Sequence, residues 1–179
     1  MRKIPKLRFP EFSGEWEEDK LNNHAEIYDG THQTPAYKDN GIKFVSVENI
    51  NNLLETDKYI SKDDYEKEYK NKKVDKGDIL MTRIGDIGTP ALIDFDKPLA
   101  YYVTLSLIKC KSQFVKSNFL YYYIQNDSFQ KELYKRTLHI AFPKKINLGE
   151  IGLSSITFPE ISEQQKIADF LSSIDSQIE

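Results

Sequence analysis

Two apolar runs in the middle of the chain flank a Gly-Asp turn, and this feature constrains the fold most. The runs cover residues 79–84 and 87–93, and Gly85-Asp86 lies between them. Strand-type runs on both sides of a Gly-containing turn predict an antiparallel β-hairpin. Other apolar and β-branched runs predict further strands at residues 42–47, 101–108 and 151–158. Strands are therefore expected to dominate the middle third of the chain.

Helical patterns lie between these strand segments. Residues 62–73 are highly charged and place Tyr65 and Tyr69 four positions apart, which predicts a surface helix with an aromatic stripe. Ser117 is the expected N-cap of a second helix, and Asn126 begins a third. Together with the strands, these helices predict the α+β class, a compact domain of mixed sheet and hairpins with short helices.

The last segment carries the cleanest periodic signal. Ser162 and Gln165 are spaced for a capping box at the start of a helix. The chain stops at Glu179 without a residue that ends a helix, which suggests a longer helix that has been cut. We therefore divide the chain into a domain at residues 1–158 and the start of an interface helix at residues 159–179. Four apolar residues recur at spacings of four, three and four, as in a coiled coil or a core-facing helix: Ile167, Leu171, Ile174 and Ile178.

The charge is unevenly distributed. The 25 basic and 28 acidic residues of the 179 give a net charge of −3, which by itself argues mildly against a nucleic-acid binder. Residues 105–149, however, hold eight basic and two acidic side chains, whereas residues 150–179 hold one basic and six acidic side chains. Such asymmetry is typical of an electrostatic binding face on a molecule with a second, differently charged surface.

Catalytic and metal-binding patterns are scarce. The three histidines are scattered, and neither zinc-ligand spacing nor a phosphate-binding glycine loop occurs. Residues 85–88 mimic a Gly-x-x-Gly clamp and residues 68–70 an acid-x-Lys nuclease signature, but they lie in hairpin and charged-helix patterns. We expect a non-enzymatic protein without cofactor or metal. Since Cys110 is the only cysteine and no apolar run approaches a membrane span, we also expect a cytoplasmic location.

Four stretches, in chain order, resemble one family. They are Lys-Leu-Arg-Phe-Pro-Glu-Phe-Ser-Gly-Glu-Trp at 6–16, Gly-Thr-His-Gln-Thr-Pro at 30–35, Gly-Asp-Ile-Leu at 77–80 and Pro-x-x-x-Glu-Gln-x-x-Ile at 159–167. Their order and spacing are similar to those of a target recognition domain in the specificity subunit of type I restriction-modification systems. The match covers nearly the whole chain.

This resemblance implies a function and a set of partners. Complete specificity subunits usually hold two recognition domains joined by two long helices in an antiparallel coiled coil, so the chain resembles the N-terminal half. The family's function implies non-catalytic, sequence-specific binding of double-stranded DNA, with each domain specifying half of a bipartite target. The implied protein partners are methyltransferase (modification) subunits, the restriction subunit, and a second recognition domain or half-subunit contacted through the C-terminal helix.

Candidate contact residues follow from the positions of loops and charges within this resemblance. The protein interface is expected at Ile167, Leu171, Ile174 and Ile178. Other interpretations stay open: Thr34-Pro35 as a turn, Arg83 as a partner of Asp86 or Asp78, and the lysines as solvated surface. The residues expected to contact DNA are Thr31, His32, Gln33, Thr34, Tyr37, Arg83, Lys135, Arg136, His139, Lys144 and Lys145.

Two other functions are consistent with the sequence. One is a protein-interaction module without a DNA role, in which the C-terminal helix binds and the basic segment only aids solubility. The other is the recognition domain of a single-chain DNA methyltransferase, although the Asn-Pro-Pro-Tyr-type motif of the catalytic part does not occur in the chain.

Overall fold

Most strands lie in the first two thirds of the chain, and most helices follow them. The computed structural model describes residue 5, residues 7–111 and residues 113–178, with the backbone alone at Ile178. The strands are β1 (Glu17–Lys20), β2 (Ala25–Asp29), β3 (Ile42–Val45), β4 (Tyr59–Ile60), β5 (Ile79–Ile84), β6 (Asp86–Leu92), β7 (Leu99–Tyr101), β8 (Leu105–Cys110) and β9 (Ser155–Phe158). The α-helices are α1 (Lys62–Glu68), α2 (Ser117–Ile124), α3 (Asp127–Arg136), α4 (Leu148–Gly152) and α5 (Ile161–Ile178).

The predicted hairpin is the centre of the largest sheet. Its strands β5 and β6 pair antiparallel, and the sheet has the order β2-β8-β5-β6 with all neighbours antiparallel. Gly85 occupies the turn with φ +85, a left-handed conformation that glycine adopts without the steric cost of a Cβ. The hairpin prediction is confirmed, and so is the α+β class.

Residues of this sheet alternate between two hydrophobic cores. On β5, Ile79 and Met81 contact the core formed with helices α2, α3 and α4, whereas Leu80 contacts the core shared with a second sheet. The second sheet has the order β4-β3-β7, in which β3 and β7 are parallel. Because successive strand residues point to opposite faces, one run of apolar residues supplies both cores.

The predicted surface helix at 62–73 is shorter and less exposed than expected. Helix α1 ends at Glu68, and Tyr65 and Tyr69 are 3% and 0% exposed in the second core. The Tyr69 hydroxyl donates to the Tyr101 carbonyl at 2.6 Å, and burial raises the pKa of Tyr69 above its ordinary value. The aromatic spacing therefore marks a core contact, while the charged residues Lys62, Asp63, Glu66 and Lys67 are exposed, as predicted for a surface helix.

Two strand predictions also require correction. Residues 101–108 form parts of β7 and β8 rather than one strand, because the chain turns between them and Leu105 N–H donates to the Tyr102 carbonyl at 2.9 Å. This turn carries the chain from one sheet to the other. Residues 151–158 begin in α4, and only Ser155–Phe158 form the strand β9, which pairs with β1.

The predicted helix caps have mixed outcomes. Asn126 caps α3, as expected, by accepting a hydrogen bond from Phe129 N–H at 2.9 Å. Ser117 is the first residue of α2 rather than its N-cap. Ser162 lies inside α5 and donates to the Glu160 carboxylate at 2.7 Å, while Gln165 donates to Asp169, so the predicted capping box does not form.

The first turns of α5 pack on the domain, and its later turns are more exposed but keep the hydrogen bond from the Tyr122 hydroxyl to the Asp175 carboxylate at 2.8 Å. Glu163 is fully buried, and its carboxylate accepts two hydrogen bonds from the Arg8 guanidinium at 2.7 and 2.6 Å. Ile167 and Leu171 are half-buried, whereas Ile174 is exposed. The predicted apolar seam thus begins against the protein's own core and continues away from it.

Candidate nucleic-acid interface

Three loops meet at one end of the four-stranded sheet. Asp29 pairs with Ser106, and Thr82 pairs with Leu105. The end of β2, the start of β8 and the hairpin turn therefore lie at the same end of the sheet. The first loop (residues 30–41) follows β2 at this end, and the hairpin turn comprises residues 84–86. The basic loop (residues 137–145) joins them because Gly85 N–H donates to the Lys144 carbonyl at 2.8 Å. We call this end of the four-stranded sheet the loop end.

Arg83 ties the loops together from inside. Its side chain donates to the carbonyls of Val103 at 2.8 Å and Ile146 at 3.3 Å, and the residue is 7% exposed. Burial lowers the pKa of Arg83 from its ordinary value. Neither suggested partner pairs with it in the part of the chain described: Asp78 binds Lys109, and Asp86 accepts from threonines. This geometry favours a structural role over the predicted direct contact.

Thr31 is placed in the same internal network. It is 7% exposed, and its carbonyl accepts from Val103 N–H at 3.0 Å while its own N–H donates to the Tyr101 carbonyl at 3.2 Å. Val103 therefore connects Thr31 to Arg83. Thr31 anchors the start of the first loop and presents little surface to a ligand.

The next predicted residues of the first loop point outward. His32, Gln33, Thr34 and Tyr37 are all exposed. The His32 Nε2 atom lies 2.6 Å from the Asp29 carboxylate, and the Tyr37 ring packs edge-on to Phe44 with the Lys58 Nζ atom 5.9 Å from its centroid. The loop thus offers imidazole, amide, hydroxyl and phenol groups on one surface.

Two of the residues expected to contact DNA, Lys135 and Arg136, are helical. Lys135 and Arg136 form the last turn of α3, so the loop begins only at Thr137. Arg136 is held by Glu132 at 2.8 Å and Glu150 at 2.9 Å, and the hydrogen bond that Arg136 donates to Glu132 raises the pKa of Arg136. Its charge is already neutralised, which favours a role in joining α3 to α4.

Three lysines at this end carry unneutralised charge. Lys135, Lys144 and Lys145 are exposed, and the ion pairs between residues that the structure describes do not include them. His139 lies beside them with its ring 4.3 Å from that of Tyr134. These groups form a cationic rim around the basic loop.

Of the remaining cations of residues 105–149, Lys131 is exposed at the cleft beneath the basic loop, and the others lie elsewhere or are paired. Lys109 binds Asp75 at 2.8 Å and Asp78 at 2.5 Å. Lys111 and Lys116 follow the end of β8, at the opposite end of the sheet from the loop end. The basic segment read from the sequence is therefore not one continuous surface. Folding concentrates only part of it at the loop end.

The basic loop also exposes apolar side chains that sequence reasoning did not single out. Ile140 and Phe142 have 99% and 103% of their reference exposed areas, and Tyr134 and Leu138 are exposed beside them. The signal was present as Ile-Ala-Phe at 140–142 between His139 and Lys144. It was overlooked because the segment was interpreted through its charge alone.

A cleft of about 470 Å³ lies beneath this loop. Its walls come from the hairpin, α3 and the basic loop, and Gln130 closes one side by donating to the Gly88 carbonyl at 2.8 Å. The lining includes Gly85, Ile87, Lys131, Tyr134, His139 and Lys144.

The described residues contain no cluster of three or more histidine, cysteine or acidic side chains that could hold a metal ion. No helix within the described part of the chain has the length and apolar character needed to cross a bilayer.

Comparison with known proteins also finds this α+β fold. The sequence model of the family described as "Type I restriction modification DNA specificity domain" matches residues 13–179, and the chain belongs to this family. Membership agrees with the expectation of a specificity module rather than an enzyme.

Individual relatives agree with this assignment. The chain is 27% identical to the specificity subunit of the type I restriction enzyme MjaVIII from Methanocaldococcus jannaschii, over 99% of this chain and 44% of that subunit. Its fold resembles the HsdS subunit from Thermoanaerobacter tengcongensis (TM-score 0.68, 17% identity, 98% of this chain and 40% of that one). It also resembles the S subunit from M. genitalium (TM-score 0.66, 15% identity, 98% and 42%). The chain thus spans about two fifths of the length of these relatives.

Proposed function

We propose that the chain recognises a specific double-stranded DNA sequence through its loop end, as one half of the bipartite target of a type I restriction-modification complex. One observation carries the proposal: three loops from distant parts of the sequence converge on one end of the sheet, beside exposed lysines that form no ion pair with any described residue. The family to which the chain belongs supports it.

The lysines and the first loop have different tasks in this proposal. Lys135, Lys144 and Lys145 supply affinity by neutralising phosphates, which positions the domain without reading sequence. His32, Gln33, Thr34 and Tyr37, with His139, are the side chains that reach base edges. A glutamine amide can bond an adenine edge through two hydrogen bonds in the major groove.

Thr31, Arg83 and Arg136 support this surface from behind. Their hydrogen bonds and ion pairs fix the first loop, the hairpin turn and the end of α3 relative to one another. A fixed set of contacts loses less conformational freedom when DNA binds, so these three residues act on affinity through preorganisation.

The exposed part of α5 is the proposed protein-binding surface. Ile174 lies in solvent beyond the half-buried Leu171, and Ile178 continues the same heptad spacing. We infer that this seam pairs with a second recognition domain or half-subunit, and that methyltransferase and restriction subunits assemble on the complete molecule. A cytoplasmic location follows from a DNA partner and remains a prediction.

Selection from a random duplex pool tests the proposal directly. The 179-residue chain should enrich one short sequence motif. Fluorescence anisotropy with the enriched duplex should then give a steep dependence of affinity on salt. Enrichment of no motif would contradict sequence-specific recognition and favour a protein-interaction module.

The lysines provide the matched comparison. Replacing Lys144 and Lys145 with alanine removes two phosphate contacts, so the slope of log K against log salt should become shallower by about 1.8. Lys111→Ala with Lys116→Ala removes the same charge at the opposite edge and should leave the slope unchanged. Equal slopes for the two double variants would contradict the placement of the DNA interface at the loop end.

A further inference from the structure

The basic loop presents two large apolar side chains entirely to solvent. Ile140 and Phe142 have 99% and 103% of their reference exposed areas. Of the large hydrophobic residues in the described ranges, only Leu7 shares an exposure above 90%. Soluble proteins expose single apolar residues routinely, but two fully exposed ones at a single loop tip are characteristic of an interaction surface.

The neck of this loop is hydrogen-bonded on several sides. Leu138 N–H donates to the Lys145 carbonyl at 2.8 Å, and Ile146 N–H donates to the Arg83 carbonyl at 3.0 Å. The Thr137 hydroxyl donates to the Leu133 carbonyl at 2.8 Å, which fixes the loop to α3. The tip therefore projects from an anchored base beside the hairpin turn.

Lysines flank this apolar tip along the chain. Lys144 and Lys145 follow it after Pro143, and Lys135 precedes it. An apolar surface that docks on protein usually has a rim of mixed polarity, whereas a cationic rim complements the phosphates on both sides of a DNA groove. The charge around the tip thus favours DNA as its partner.

We propose that Phe142, assisted by Ile140, is an apolar wedge that inserts between base pairs of the bound duplex. This inference rests on the proposed function and adds a contact mode to it. Proteins that bend DNA insert phenylalanine, leucine or isoleucine side chains between base steps and partly unstack them. The flanking lysines hold the phosphates of the opened step while the ring packs against the exposed base.

Such a wedge contributes to recognition differently from a charged or hydrogen-bonding side chain. Stacking on a base has no charge to screen, so its contribution is independent of salt. Pyrimidine-purine steps unstack most readily, and the duplex selected by the chain should therefore carry such a step where Phe142 enters.

Tryptophan fluorescence tests the insertion. The chain contains one tryptophan, Trp16, and Phe142→Trp places a second indole at the tip. Stacking on a base quenches indole emission, so the selected duplex should reduce the emission of this variant beyond the change seen in the wild type. Phe114→Trp is the control, because Phe114 is 46% exposed at the opposite edge of the sheet and should not be quenched.

Affinity measurements separate the wedge from the phosphate contacts. Phe142→Ala should weaken binding about 5- to 150-fold, the range for loss of one stacked base, with an unchanged salt slope. Phe142→Leu should retain part of the affinity because leucine also serves as a wedge. Circular dichroism and thermal unfolding should match the wild type, since the ring contacts no core residue.

Each outcome decides between the two proposals. If the wild type binds the selected duplex but Phe142→Trp is not quenched, or Phe142→Ala binds with full affinity, the wedge is refuted and DNA recognition stands. A protein partner that binds through Phe142 would give the same pattern and would likewise refute the wedge. If the wild type selects no duplex, both proposals fail together.

Discussion

The Tyr69 hydroxyl joins the segment after α1 to the backbone of β7. It donates to the Tyr101 carbonyl at 2.6 Å and accepts from the Tyr101 N–H at 3.2 Å, and the whole residue is 0% exposed. The same Tyr101 carbonyl accepts from Thr31 N–H, which starts the first loop. Tyr69→Phe keeps the ring and removes only these two hydrogen bonds, and we expect it to destabilise the fold.

The structure sets the size of this effect. Without the hydroxyl, the Tyr101 carbonyl keeps its bond from Thr31, but the buried Tyr101 N–H loses the acceptor that the hydroxyl provided. A buried donor left without a partner costs about 1–3 kcal/mol. For a chain of this length, a loss of about 2 kcal/mol lowers the Tm by about 4–8 °C.

Urea unfolding followed by circular dichroism measures the free energy of unfolding, with thermal melts as a second readout. Tyr65→Phe is the matched control, because Tyr65 stacks on Tyr69 at 5.3 Å and is 3% exposed, yet its hydroxyl forms no hydrogen bond among the described residues. This control should change stability by less than about 0.5 kcal/mol. Equal stabilities for Tyr69→Phe and the control would refute the role assigned to the hydroxyl.

Three further measurements test other parts of the structure. Burial raises the pKa of Cys110 to about 11, so the native thiol should react with iodoacetamide at pH 8 far more slowly than the urea-unfolded thiol. Burial also raises the pKa values of Tyr69 and Tyr101, so the unfolded state releases their protons at a lower pH than the folded state. The urea midpoint should therefore fall as the pH rises above about 10, and it should fall less steeply in Tyr69→Phe. Arg136→Ala should cost about 1 kcal/mol of stability without changing the salt slope of DNA binding, because the ion pairs of Arg136 join α3 to α4. A shallower slope would show instead that Arg136 contacts a DNA phosphate.

Local signals in the sequence predicted local structure well. The hairpin depends on glycine in a left-handed turn between two apolar runs, and the start of α3 depends on one asparagine side chain and one backbone N–H. Both are interactions between residues no more than 13 positions apart, as in the hairpin pair Ile79 and Leu92, so a short window of sequence contains all the partners. The four motifs also identified the family, because residue types and their order can be read from the sequence without knowledge of tertiary contacts.

Local signals were incomplete where a distant segment supplied the partner. The charged residues around Tyr65 and Tyr69 correctly indicated a surface helix, but they do not reveal that both rings enter a core that β7 and β8 complete from farther along the chain. The sequence around Arg83 likewise contains neither Val103 nor Ile146, whose carbonyls accept hydrogen bonds from its side chain.

The sequence by itself determined the fold class, the hairpin, the family and the presence of a basic segment, because each depends on residue type and short-range spacing. Only the tertiary structure decided which residues of that segment form a surface. It neutralises Arg136 and Lys109 with acids from other elements, buries Thr31 and Arg83, and leaves Lys135, Lys144 and Lys145 free around an apolar tip. The physical reason is that burial and ion pairing depend on residues brought together across the sheet, and no count of charges along the chain contains that information.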